Sequence, residues 1–171
     1  MDGNEAVIDV LGVNEIFGEL SIFTNFSQNC NCEAIEQTEV LLLPLGLLSQ
    51  KIEDVPNFAI NMLKYSAQMG AEKTKEIEHL NMQNAPQRIG CFLLRLCANS
   101  KSDSSTLHLP YDKTMIAAKL GMQPETFSRA LNKLKEATGI KILGGNVDVP
   151  SVAKLSQFCC GACSSSFPCG S

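Results

Sequence analysis

The alternation of apolar and polar positions is most regular between Tyr111 and Glu136. Met115, Ile116 and Leu120 line one face of a first helix, and Ala117 and Ala118 let a second helix approach closely. Asp112 stands where its carboxylate can take up the orphan amides of the first turn. Gly121 marks the stop of this helix in a left-handed conformation. Pro124 then opens a second helix at a position where a missing N–H costs nothing. Phe127, Ala130, Leu131 and Leu134 turn inward, which leaves Glu125, Thr126, Ser128, Arg129, Asn132 and Lys133 on or near the outer face. The spacing predicts a helix-turn-helix, whose second helix enters a DNA major groove with its first residues at the base edges. A plain helical hairpin with a solvated charged face has the same periodicity. The glycine turn, the short polar residues opening the second helix and Arg129 one turn in weigh toward DNA.

The flanking patterns extend this unit. Ile140–Leu143, Gly144-Gly145 and Asn146–Val149 predict a tight hairpin, since two glycines supply the positive φ such a turn needs. A hairpin directly behind a recognition helix is a wing. Pro150–Phe158 can add a last helical turn or two. Upstream, Ile89, Phe92, Leu93, Leu96 and Cys97 give Pro86–Ala98 a helical period, so Cys91 and Cys97 read as core thiols. A Ser-rich loop over Asn99–Thr106 leads to a short strand at Leu107–Leu109. Asn57–Asn81 reads as one long helix. Leu63, Gly70 and Ile77 share one heptad position and Ser66, Lys73 and Leu80 another, and the small residues suit close approach of a second helix. A lone amphipathic helix is the alternative, but dimers read paired half-sites and the neighbouring motif favours a dimer seam. The Glu72–Lys75–Glu76–His79 face is expected to be solvated.

Residues 6–48 read as short strands: Ala6–Leu11, a turn at Asn14-Glu15, Ile16–Phe23, a loosely alternating Glu33–Glu39 and the apolar run Val40–Leu43. A polar loop, Thr24–Asn31, lies between them, and Pro44–Ile52 reads as a short helix leading out. About four strands cannot close a barrel or roll, so the sheet is expected to be incomplete and to lack a first half.

Charge sharpens the division. The chain of 171 residues carries −4 overall, but residues 1–82 carry −9 and residues 83–171 carry +5. A basic half beside an acidic half suits a nucleic-acid reader joined to a regulatory domain. No apolar run approaches the length of a membrane span and no signal peptide is legible, which points to the cytoplasm. Eight cysteines then read as reduced thiols or metal ligands rather than a disulfide framework. No Ser/His/Asp set, phosphate loop or paired-carboxylate motif is present, and His79 and His108 lie in unrelated contexts, so an enzyme is not expected.

Gly18-Glu19-Leu20, the long helix with Ser66-Ala67-Gln68-Met69, the run Pro124-Glu125-Thr126-Phe127-Ser128-Arg129-Ala130-Leu131 and the wing together resemble the Crp/Fnr transcription regulators. The resemblance runs from about residue 3 to residue 158 and begins midway through that family's cyclic-nucleotide-binding-type β-roll. It implies a homodimer that binds double-stranded DNA at a palindromic promoter site and contacts RNA polymerase. It also implies an effector pocket around Glu19, Asn29 and Cys30. Cyclic-AMP-responsive members place an Arg-Ser pair where Asn29 and Cys30 stand, and a Thr-Ser pair where Glu76 and Ile77 stand. Asn29 carries no charge to offset a phosphate, so cyclic AMP is not the expected signal. The helix-turn-helix run looks closer to the nitrogen-oxide and anaerobic-respiration branch. Pro124 occupies the place of a guanine-reading Arg in the cyclic-AMP type, which implies a half-site like TTGA rather than TGTGA.

Cys159, Cys160, Cys163 and Cys169 form a thiol-rich end with Gly, Ser and Pro between them. Cys160 and Cys163 have metal-knuckle spacing, so the cofactor is unknown but zinc or an iron–sulfur group is conceivable there. A disordered, oxidisable tail is the alternative. Cys30 and Cys32 are too closely spaced to share one metal well, and Cys32 can simply face the core. The expected fold is α+β: a partial β-roll sensor domain over 1–52, a dimerisation helix over 53–82, a winged helix-turn-helix over 83–158 and a cysteine-rich tail over 159–171. The expected function is sequence-specific transcription regulation. Glu125, Thr126, Ser128 and Arg129 read bases, while Lys113, Lys133 and Lys141 meet phosphates. The rival reading is a metal- or redox-binding protein that uses the cysteine cluster, with the winged helix as a protein-docking module.

Overall fold

The computed structural model describes residues 7–23, 30–97, 103–110 and 112–161. The chain divides into two compact units, residues 11–74 and residues 1–10 with 75–171, and the boundary falls inside a long helix.

In the second unit, helix α3 (Ala85–Cys97) begins with a reciprocal cap. Asn84 Oδ1 accepts from the Gln87 amide at 3.1 Å, while Gln87 Oε1 accepts from the Asn84 amide at 3.0 Å. Its apolar period buries Ile89, Phe92, Leu93 and Cys97, and Cys91 is buried too. Helix α4 (Lys113–Lys119) is capped as its sequence predicts, Asp112 Oδ1 accepting from the Met115 amide at 2.7 Å. Gly121 then turns the chain at φ +64°, and helix α5 (Pro124–Thr138) ends at Gly139 with φ +81°. Pro124 stands in the first turn of α5, where no backbone donor is lost.

Three short strands complete the unit: β1 (Ser105–His108), β2 (Lys141–Leu143) and β3 (Asn146–Val149). They form one antiparallel sheet in the order β1-β3-β2, with Ile142 opposite Val147 and Leu107 opposite Val147 on the other side. The wing hairpin is therefore the predicted one. Its pairing with β1 is an addition that no local pattern announces. Val147 and Val149 face the core while Asn146 and Asp148 stay exposed, the period-two pattern of a one-sided sheet. Helix α6 (Val152–Cys159) follows, capped by Ser151 Oγ on the Lys154 amide and by Asp103 on the Ala153 amide. The helices and sheet enclose one core, with Leu134, Leu155, Val147 and Cys159 fully buried. At Gly90 on α3, a Cβ would run into Cys159 Sγ, so the close approach of α3 and α6 requires glycine there.

The first unit departs from expectation. Among its described residues no strand forms; Glu19–Ile22 is a 3-10 turn, and the rest up to Pro44 is irregular. The strands expected over 16–23 and 33–43 are absent because no described neighbour offers a ladder, and an unpaired strand is not stable in water. Val40–Leu43, read as a buried run, is exposed, with Leu41 and Leu42 at 84% and 83%. Cys32, expected to face a core, is exposed too. The turn at Asn14-Glu15 does form, with Asn14 at φ +66°. Helix α1 (Leu45–Asp54) matches the expected short helix.

Helix α2 (Pro56–Met82) is the predicted long helix. Its exposed stripe differs from the proposed seam in one register. Ile60, Leu63, Ala67, Gly70, Thr74, Ile77 and Asn81 alternate at spacings of three and four and are all exposed, whereas Ser66 and Lys73 are half-buried. Leu63, Gly70 and Ile77 of the one expected heptad position are thus exposed, as is Leu80 of the other. His79, expected on a solvated face, is buried at 8% exposure. No helix among the described residues is long and apolar enough to cross a membrane.

Candidate nucleic-acid interface

Helix α5 has two unlike faces. Phe127, Ala130, Leu131 and Leu134 are buried against α3 and α4, which fixes the rotation of the helix. That rotation leaves Glu125, Ser128, Arg129, Asn132 and Lys133 exposed and Thr126 half-exposed. Glu125 and Arg129 stand four residues apart, so they share one face. The N-cap residue Gln123 makes no side-chain bond to the first turn, so the positive end of the helix is not filled by its own cap. Lys113 at the start of α4 and Lys141 at the start of β2 are exposed as well. Every residue expected to touch DNA therefore lies in the winged-helix unit with solvent access.

Neither of the other two candidate sites is assembled among the described residues. Glu19 opens the 3-10 turn and is half-buried, Cys30 is exposed, and Asn29 lies outside the described residues. Cys159 is not a tail residue. It ends α6 at 0% exposure, inside the core, because its side chain fills the space beside Gly90. Cys160 is half-buried and receives the Ser156 hydroxyl at 3.5 Å, while Cys163 and Cys169 lie outside the described residues. No group of three or more His, Cys, Asp or Glu side chains suited to a metal occurs among the described residues.

Comparison with known proteins follows the same division. The family model for a Crp-like helix-turn-helix domain matches residues 87–158, and that for a cyclic nucleotide-binding domain matches residues 1–54. The chain belongs to the Crp/Fnr family of transcription regulators. A cyclic AMP receptor protein of Thermus thermophilus is 27% identical, over 94% of this chain and 73% of the relative. A global nitrogen regulator of Synechocystis is 28% identical, over 91% of this chain and 71% of that protein. The solved structure of FixK2 from Bradyrhizobium japonicum superposes with a TM-score of 0.55 at 20% identity, covering 66% of this chain, and shows a shared fold. The chain spans 57% of the length of FixK2.

The sequence reading missed one polar cluster. His79 and Gln83, one turn apart at the end of α2, are buried together beside Arg88 and Arg95 of α3. The only signal in the sequence is their spacing of four, which puts both on one face of α2, and the charged residues beside His79 mask it. The face carrying Glu72, Lys75, Glu76 and His79 reads as solvated from its charges, and burial of His79 by α3 overrides that pattern.

Proposed function

We propose that this chain is a sequence-specific DNA-binding regulator that acts as a homodimer on a palindromic site, with α5 as its recognition helix. The observation that carries the reading is the outer face of α5. It exposes Glu125, Ser128 and Arg129 on a helix whose opposite face is locked into the core. A carboxylate at Glu125 accepts from the N4 amino group of cytosine, and the Arg129 fork meets guanine O6 and N7 or a phosphate. Ser128 is small enough to leave the helix close to the base edges. Lys113, Lys133 and Lys141 neutralise phosphates and position the domain without specifying sequence. With Pro124 at the head of α5, the half-site resembles TTGA.

The exposed stripe of α2 supports the dimer. Leu63 and Ile77 are 68% and 59% exposed, and Gly70 between them has nothing within 4 Å of the place its Cβ would take. A second copy of the helix would cover this seam with knobs-into-holes packing. The Thermus relative is named a cyclic AMP receptor. This chain does not respond to that ligand in our reading, because uncharged Asn29 stands where the cyclic-AMP-type members carry an Arg. Contact with RNA polymerase follows from the family.

Binding-site selection on randomised duplex tests the reading. Glu125→Ala relaxes preference at one base pair, by about 1–3 kcal/mol of discrimination. Lys133→Ala weakens all sequences alike and flattens the salt dependence. Selection of the same site at the same stringency by Glu125→Ala would mean that α5 docks differently.

A further inference from the structure

The polar cluster at the end of α2 has no part in reading bases. His79 is 8% exposed and Gln83 3%, and both line a cavity of about 20 Å³ with Glu76, Arg88, Arg95 and Lys119. The cations in its wall are engaged. Arg88 donates to the carbonyls of Leu80, Gln83 and Leu120 at 2.6, 3.1 and 3.4 Å, and Lys119 to Asp9 Oδ1 and the Val10 carbonyl at 3.5 and 3.3 Å. The neutral groups are not. His79 Nε2, Gln83 Nε2 and Gln83 Oε1 are buried without a hydrogen-bond partner.

Buried polar atoms in native proteins are paired with protein or with ordered water. Arg95 Nη2 lies 3.4 Å from His79 Nδ1, and a guanidinium can only donate, so Nδ1 accepts and the ring proton sits on Nε2. The lining residues therefore carry two unanswered donors, His79 Nε2–H and the Gln83 amide, and one unanswered acceptor, Gln83 Oε1. A small anion would answer the donors and be repelled by Oε1 and by Glu76. A water molecule answers both kinds, and the volume is enough for about one.

We propose that one water occupies this cavity, bridging His79 Nε2–H to the Gln83 carboxamide, and that the neutral histidine so held makes the docking of α2 on α3 acid-sensitive. Protonation would place an N–H on Nδ1, donor against donor at Arg95, and a second positive charge beside the guanidinium. The charged groups around the ring are Lys75, Glu76 and Glu78 on α2, Arg88 and Arg95 on α3 and Lys119 on α4, with Asp9 behind Lys119. Burial, then Arg95, hold the His79 pKa below its ordinary value of 6.5, against the opposite pull of Glu78 and Glu76. The unfolded chain takes up the proton first as pH falls. The contribution of neutral His79 is therefore complete above about 6.5 and declines below it, until the folded value is passed.

Thermal unfolding of the full chain between pH 7.5 and 5 tests both halves. Gln83→Met, which keeps the volume and removes the bridge, should lower Tm by about 5 °C at pH 7.5. In a dry cavity the same change removes two unsatisfied atoms and raises Tm, which would overturn the bridge. The double variant His79→Leu with Gln83→Met should lose less than the sum of the single losses; additive losses would show two separate packing defects and no bridge. His79→Gln, which hydrogen-bonds without titrating, should lose the extra fall in Tm below pH 6.5. If its pH profile runs parallel to that of the parent protein, His79 is not the acid-sensitive group.

Discussion

Two short apolar runs in this protein have opposite fates. Phe92-Leu93-Leu94 on α3 is buried, whereas Val40-Leu41-Leu42-Leu43 is exposed along its whole length. Composition does not separate them. The α3 run lies between α5 and α6, each of which brings a complementary face, and every buried apolar side chain described belongs to residues 89–159. The residue 40–43 run has no such face among the described residues. Apolar area stabilises at roughly 25 cal/mol per Å² only when something removes it from water. A hydrophobic segment is thus half of a core, and what it packs against decides whether it becomes one.

The sharpest way to break this comparison is to truncate one leucine from each region. Leu134→Ala, at 0% exposure on α5, should cost about 2–5 kcal/mol of stability in denaturant unfolding. Leu42→Ala, at 83% exposure, should stay within about 0.5 kcal/mol. Equal losses would mean that the 40–43 run is covered in solution, and the contrast between the regions would fall.

Two glycines sharpen it further. Gly90→Ala forces a methyl against Cys159 Sγ, with Leu155 and Leu134 methyls at 3.2 and 3.3 Å, and overpacking there should cost about 1–3 kcal/mol. Cys159→Ala in the same chain should recover much of that loss. Gly46→Ala on α1 meets nothing within 4 Å and should gain about 0.5 kcal/mol. Opposite signs in thermal melts are the expected result. The smallest effect belongs to a cap: Asp112→Ala leaves the Met115 amide unpaired and should cost about 1 kcal/mol, read in the same assay. No change would mean that α4 is held by its packing alone.

Much of the winged-helix unit is legible in the sequence. Asp112, Gly121 and Pro124 act through their own backbone or their nearest amides, so their roles follow from residue type and spacing. The buried face of α5 follows from a 3.6-residue period. Once that face is inside, the outer positions of Glu125, Ser128 and Arg129 are settled by helix geometry. The hairpin over β2 and β3 was likewise written in Gly144-Gly145 and its flanking alternation, although of the two glycines only Gly144 takes a positive φ, +60°.

Other features depend on neighbours distant in sequence, and no local pattern contains them. β1 pairs with β3, a strand some forty residues on, and not with β2, which holds the other edge of β3. Cys159 looked like a tail thiol because it heads a run of cysteines, and it became a core residue because Gly90 on α3 leaves a space of its size. His79 looked solvated because its sequence neighbours are charged, and it is buried because α3 lies across it with Arg95 against its ring. The failed strands of residues 16–43 have the same origin, since β-propensity is largely the fit to a partner strand. Local periodicity determined which elements form and which of their faces are apolar. Only the tertiary structure decided which of those faces found something to cover them.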